Sequence, residues 1–116
     1  MIELHLPHQD PIKFAKYVMS KSQNQALVKV EFDSVPTLSM IVEAAAQASG
    51  AFGGEDTGLG FLVSLKNIKL LEEPQKLHFK TKITNEHTMG NMTYFSFEFL
   101  EDDTTIATGS FVITVE

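Results

Sequence analysis

Several residue types and patterns are missing from this chain of 116 residues, beginning with cysteine. Without cysteine, disulfide bonds, thiolate nucleophiles and cysteine-ligated zinc are excluded. No apolar run approaches the ~18 residues that a membrane-spanning helix needs, and the first residues lack the apolar stretch of a signal peptide. We therefore expect a cytoplasmic protein that does not interact with membranes.

The chain also lacks an excess of positive charge. Its 15 acidic residues outnumber 9 basic ones, which gives a formal net charge of −6. This balance argues against a protein that binds nucleic-acid phosphates or anionic membranes. No pair of histidines has metal-ligand spacing, and the glycines between 53 and 60 do not form a nucleotide fingerprint. We therefore expect no metal, no cofactor and no nucleic-acid partner.

The pattern of apolar residues predicts one long helix among several strands. No linker or repeat divides the chain, so residues 1–116 are predicted to form a single domain. The helix candidate, Leu38 to Phe52, is apolar or small on nearly every side, so it should be buried. Short turns favour an antiparallel sheet wrapped around this helix, which makes an α+β domain. The strands are predicted at 16–22, 26–32, 61–71, 76–84, 92–101 and 105–115.

Polar residues interrupt the predicted helix along one row. Ser39, Glu43 and Gln47 are spaced at i, i+4 and i+8, which places them on the same face. Burying an unpaired carboxylate on such an apolar helix is costly. Glu43 therefore either has a role at a functional site, lies at a solvent-exposed helix edge, or pairs with a lysine. Gln47 could orient Glu43 or a water, or bind backbone, while Thr37 or Ser39 could cap the helix.

Two motifs carry a resemblance to a known family. One is Leu6-Pro7-His8 followed by Pro11, and the other is Glu43-Ala44-Ala45-Ala46-Gln47-Ala48-Ser49-Gly50. The second is similar to the helix motif of the 3-hydroxyacyl-acyl carrier protein dehydratases, and the order of the predicted elements follows theirs. Over nearly its whole length, the chain resembles the dehydratase branch of the hotdog-fold proteins.

The resemblance implies a fold, an assembly and a site. The fold is an antiparallel sheet of five to six strands around one central helix, and the assembly is a homodimer or higher homo-oligomer with acyl tunnels at the interface. The implied partners are acyl thioesters of acyl carrier protein or coenzyme A. Glu43 matches the acid that protonates the departing hydroxyl, and Gln47 matches a supporting glutamine. Pro36, Ser39 and His8 are further candidates for binding substrate.

One part of the family pattern is missing. Dehydratases carry their catalytic histidine in a Gly-His-Phe-Pro-Gly stretch about a dozen residues before the acid. The corresponding stretch here, Lys29 to Pro36, has no histidine and no glycine, and among its residues Phe32 and Pro36 match. Three functions therefore remain open: a dehydratase, a thioesterase that uses the helix carboxylate, and a non-catalytic acyl-binding or scaffold protein.

The histidines are candidates for replacing the missing base, and the lysines are candidates for contacting an acyl carrier. His8 is the candidate for replacing the base, although a structural role is favoured for it. His5 and His78 alternate with apolar neighbours and are predicted to face solvent, and His87 is predicted to lie in a polar turn. An acidic carrier would approach this acidic chain only at a basic cluster, and five lysines fall close together in sequence: Lys66, Lys69, Lys76, Lys80 and Lys82.

Overall fold

The described part of the chain folds into a seven-stranded antiparallel sheet and one α-helix. The computed structural model describes residues 2–3, 14–52 and 60–115, with side chains over 14–52 and 64–114. Within the sheet the strands follow the order β1-β2-β3-β5-β6-β7-β4. The elements are β1 Ile2–Glu3, β2 Ala15–Lys21, β3 Gln25–Glu31, α1 Leu38–Ala48 with a 3-10 turn at Ser49–Phe52, β4 Gly60–Leu70, β5 His78–Met89, β6 Met92–Glu101 and β7 Thr104–Val115.

This architecture confirms the predicted α+β class, with six strands of seven residues or more beside the short β1. Most strand bounds agree with the prediction to within one or two residues. The exception is β5, which runs on to Met89 because a bulge near His87 lets the hairpin with β6 continue to a tight turn at Gly90. The prediction of a polar turn at His87 is therefore wrong. His87 lies in the strand, and its ring stacks on Tyr94 with centroids 4.3 Å apart.

The helix begins where a side chain can satisfy its first free backbone donors. The Thr37 hydroxyl accepts a hydrogen bond from the Met40 N–H at 3.2 Å, so Thr37 is the N-cap. Ser39 already lies within the first turn and does not cap the helix, which corrects one of the two predicted alternatives. The buried face of α1 consists mainly of small and β-branched residues that let the sheet approach closely: Ile41, Val42, Ala44, Ala45 and Ala48.

The core lies between α1 and the inward face of the sheet. Alternate residues of β3, β5 and β6 point toward the helix, and they are almost completely buried: Val28, Val30, Phe79, Thr81, Ile83, Phe95, Phe97 and Phe99. The inward residues recur at every second position of β3, β5 and β6, the period of a strand with one buried face. We call the opposite, largely polar side of the sheet the outer face. It carries Lys80, Lys82, Ser96 and Glu98.

An irregularity in β4 is coupled to a glycine in β7. Lys66 pairs with Ser110 and Lys69 with Thr108, so β4 contains one more residue than β7 over this interval. The extra residue turns Ile68 toward the core. A Cβ atom on Gly109 would overlap the Ile68 side chain and would lie 2.8 Å from the Phe97 ring. The bulge therefore requires a residue without a side chain at position 109.

We predict that Gly109→Ala destabilises the protein by about 1–2 kcal/mol. Overpacking a buried site costs roughly 1–3 kcal/mol, and the better strand propensity of alanine returns less than about 1 kcal/mol of this. Urea denaturation of both proteins measures the difference. Ser110→Ala, on the outer face, is the control and should change the free energy of unfolding by less than about 0.5 kcal/mol. Equal stability of Gly109→Ala and wild type would show that the packing argument is wrong.

Candidate functional site

The row of polar residues on α1 runs from solvent into the core. Ser39 is exposed, Glu43 is half-buried, and Gln47 is 3% exposed. The structure therefore brings Glu43 and Gln47 together at a partly enclosed position and leaves Ser39 at its open end.

The Gln47 side chain is held in one orientation by backbone donors. Its Oε1 atom accepts hydrogen bonds from the Phe14 N–H at 2.8 Å and from the Ala15 N–H at 3.2 Å. A carbonyl oxygen has two lone pairs, and both are used here, so the amide NH₂ group must point the other way. There it donates to Glu43 Oε1 at 3.3 Å. The start of β2 thus determines which group of Gln47 faces Glu43.

Phe14 connects this pair to the segment that carries histidine in the dehydratases. The Phe14 carbonyl accepts a hydrogen bond from the Glu31 N–H at 3.0 Å, and its ring lies 4.8 Å from the ring of Phe32. Phe32 also packs on Phe79 and Phe99, so its side chain belongs to the core. Sequence reasoning missed the anchoring role of Phe14, because backbone N–H groups leave no signal in a sequence.

The other predicted site residues occupy different positions. Pro36 is buried two residues before α1, in the connector from β3. His8 lies outside the described residues. His78 is exposed, as predicted, with Nδ1 3.3 Å from Glu31 Oε1. His78 and His87 both lie on the outer face, so the sheet separates them from Glu43. Neither described histidine can therefore exchange a proton with Glu43 within one chain.

The arrangement offers a fixed carboxylate with an adjacent amide donor. Such a carboxylate can accept a proton from a substrate or from a water molecule. Within residues 2–3, 14–52 and 60–115, no cluster of three or more His, Asp or Glu residues could hold a metal ion. Across that same part of the chain, none of the helices is long and apolar enough to cross a membrane.

Two cavities of the described residues have volumes of about 710 and 200 Å³ and are lined largely by residues of the outer face. Glu43 does not line either of them. Neither cavity is therefore an acyl pocket that includes Glu43.

We predict that Gln47→Leu destabilises the protein by about 2–4 kcal/mol. The variant leaves two backbone N–H groups without their acceptor, and each buried unsatisfied donor costs roughly 1–3 kcal/mol. Chemical denaturation measures the loss. Ser39→Ala changes the exposed end of the same row and should stay within about 0.5 kcal/mol of wild type. A Gln47→Leu protein as stable as Ser39→Ala would contradict the anchoring role of the amide.

The chain was compared with known proteins. No protein-family model matches it, and no curated protein shows significant sequence similarity to it. A solved structure of the dehydratase heterocomplex ApeI:P from Xenorhabdus doucetiae is 17% identical, with a TM-score of 0.81, and the match covers 96% of this chain and 88% of that one.

Two thioesterase structures also superpose on the chain. A putative thioesterase from Ralstonia eutropha, a phenylacetic acid degradation-related protein, is 14% identical with a TM-score of 0.69, and the match covers 85% of this chain and 83% of that one. A thioesterase from Haemophilus influenzae is 11% identical with a TM-score of 0.68, and the match covers 85% of this chain and 76% of that one. At these identities the comparisons establish the fold, and the predicted hotdog fold is confirmed.

Proposed function

We propose that this protein is an acyl-thioester-binding hotdog protein that acts on 3-hydroxyacyl thioesters in the manner of the dehydratases. The observation that carries the proposal is the Glu43–Gln47 pair, a half-buried carboxylate whose amide neighbour is locked in orientation by Phe14 and Ala15. The substrate would be carried by acyl carrier protein or coenzyme A. Similarity in fold to a dehydratase heterocomplex supports this choice.

Elimination of water from a 3-hydroxyacyl thioester needs two proton transfers. A base removes the proton next to the thioester carbonyl, and an acid protonates the departing hydroxyl group. Glu43 takes the second role in our proposal, and Gln47 positions it. Within residues 14–52 and 64–114, both histidines lie on the far side of the sheet, so the base must come from elsewhere. His8 remains the candidate from this chain, and a second subunit is the other source.

The second subunit would associate with the free edge of the sheet. β4 is the terminal strand of the sheet, so its outer backbone groups are available for pairing with another strand. Leu65, within β4, is about half exposed, although it pairs with the buried Phe111 on the inward side of the sheet. We propose a homodimer or a higher homo-oligomer that forms here, with the acyl pocket at the interface. The dehydratase named above is a heterocomplex, so a different hotdog subunit is the alternative partner.

A thioesterase is the second candidate, and one feature of the site favours it. Because Gln47 donates to Glu43, the carboxylate is held as a hydrogen-bond acceptor, the state in which it can activate a water molecule. Hydrolysis of a thioester by this route needs no histidine. Two of the solved structures similar in fold are described as thioesterases, one of them putatively.

We predict that Glu43→Gln lowers turnover by about a hundredfold or more, since a positioned acid or base contributes roughly 10²–10⁴-fold. Purified protein is incubated with 3-hydroxyacyl thioesters of coenzyme A and of acyl carrier protein. Formation of the trans-2-enoyl product measures dehydration, and release of free thiol measures hydrolysis. Lys80→Gln, on the outer face across the sheet from Glu43, is the control and should retain activity.

The same assay separates the candidates. Enoyl formation that depends on Glu43 supports the dehydratase, and thiol release that depends on Glu43 supports the thioesterase. A Glu43→Gln protein as fast as wild type would remove Glu43 from the mechanism. An intact oligomer that neither turns over nor binds any acyl thioester would refute both activities.

We predict that Leu65→Lys, at the β4 edge, gives a monomer without turnover. Leu65 pairs with the buried Phe111, and an inward-pointing charge on an edge strand disfavours association through that strand. Light scattering measures the mass of both proteins in solution. Leu71→Lys is the control, since Leu71 is about equally exposed but lies beyond the end of β4. A wild-type monomer, or a Leu65→Lys protein with the wild-type mass, would contradict association through this edge.

A further inference from the structure

The larger cavity is a basin on the outer face, and its shape follows from the sizes of its side chains. The residues at its centre are short and carry hydroxyl groups, whereas longer residues stand around them. The volume of about 710 Å³ falls within the roughly 300–1,000 Å³ typical of small-molecule sites. It is lined by Asn67, Lys69, Lys82, Thr84, Ser96, Phe97, Glu98, Thr108, Gly109 and Ser110.

Strand register places charged groups at both sides of this basin. Lys82, Glu98, Thr108 and Lys69 pair successively across β5, β6, β7 and β4, so they form one row. Three strand spacings separate the two lysines, a Cα distance of roughly 14 Å. Their side chains can thus extend from opposite sides over the hydroxyl-bearing residues at the centre of the basin, which we call its floor. The Glu98 carboxylate lies between the two lysines.

The bulge in β4 creates one side of the basin. Without the extra residue, Ile68 would be paired with Thr108 on the outer face and Lys69 would point toward the core, because a shift of one residue exchanges the two faces. The bulge reverses this. Asn67 adopts φ +55°, Ile68 turns inward over Gly109, and Asn67 and Lys69 both line the basin. The bulge, the positive φ of Asn67 and the glycine at position 109 are each locally unfavourable. Together they place the Asn67 amide and the Lys69 ammonium group at the basin.

The lysines of the basin differ from other lysines of the outer face. Lys29 lies 3.4 Å from Glu31 and Lys80 lies 3.2 Å from Asp103, and Lys76 pairs with Asp102, which raises the pKa of Lys76. Over residues 14–52 and 64–114, no carboxylate lies within ion-pair distance of Lys69 or Lys82. The basin thus presents two lysines and one lining carboxylate, Glu98, above a floor of hydroxyl groups, and a second carboxylate, Glu86, accepts a hydrogen bond from Ser96 at its margin.

We propose that this basin binds a small phosphate-bearing molecule with free hydroxyl groups, of about the size of a nucleoside monophosphate. Lys69 and Lys82 bind the phosphate oxygens, assisted by the hydroxyl group of Ser110, while the Ser96 hydroxyl donates to Glu86 Oε1 at 2.7 Å. Glu98 accepts hydrogen bonds from sugar hydroxyl groups, which explains a carboxylate at an anion site. The basin lies across the sheet from Glu43, so the proposal is independent of the acyl-thioester function.

Isothermal titration calorimetry tests the proposal with four probes: adenosine 5′-phosphate, ribose 5-phosphate, inorganic phosphate and adenosine. We expect the two sugar phosphates to bind with submillimolar affinity, inorganic phosphate to bind more weakly, and adenosine not to bind. Lys69→Gln and Lys82→Gln should each weaken binding about tenfold, as expected for a charge-assisted hydrogen bond. Lys80→Gln is the matched control, because Lys80 lies on the same face outside the basin, and it should change affinity by less than about twofold.

Two further variants test whether binding depends on the Asn67 side chain and whether it is independent of Glu43. Asn67→Gly preserves the positive φ and removes the amide, so it should weaken binding without unfolding the protein. Glu43→Gln should bind the sugar phosphates as wild type does. Absence of binding by any phosphate at millimolar concentrations would overturn the proposal. So would equal weakening by Lys80→Gln, which indicates diffuse charge attraction, or inorganic phosphate binding as tightly as the sugar phosphates.

Discussion

The hydrogen bonds of the Gln47 side chain are the interaction on which the candidate site depends. One amide connects the helix to the first residues of β2 and, on its other side, to Glu43. Because backbone donors occupy the carbonyl oxygen, the orientation of the amide is a property of the fold. Anything that shifts Phe14 or Ala15 would therefore alter the hydrogen bonding of Glu43, although neither residue has a side chain suited to acid–base chemistry.

Residue patterns predicted the parts of the structure that depend on local periodicity. The helix from Leu38, the strand at 92–101 and the exposure of His78 all follow from spacing within one segment. Contacts between distant segments could not be predicted in this way. The partner of Gln47 is a pair of N–H groups more than thirty residues away. The extension of β5 past Thr84 depends on a bulge that lets a polar segment stay paired with β6.

The sheet separates two surfaces with different chemistry. The inward side is filled with aromatic and aliphatic groups and leaves one half-buried carboxylate at its margin, while the outer face is polar and holds lysines and hydroxyl groups. The segment Lys29 to Pro36 contributes Phe32 to the core and Pro36 to the helix connector, and it contains no histidine. If the protein carries out a dehydration, the base that works with Glu43 must come from outside the described residues of one chain.

The stacked rings of His87 and Tyr94 have a consequence for spectroscopy. The chain contains no tryptophan and two tyrosines, so its intrinsic fluorescence comes from Tyr17 and Tyr94. Tyr94 stacks on His87 and borders the smaller cavity of the outer face, whereas Tyr17 lies on β2, toward the other edge of the sheet. Exchange of Tyr17 for phenylalanine would leave one emitter, beside an imidazole, as a label-free optical reporter of events on the outer face.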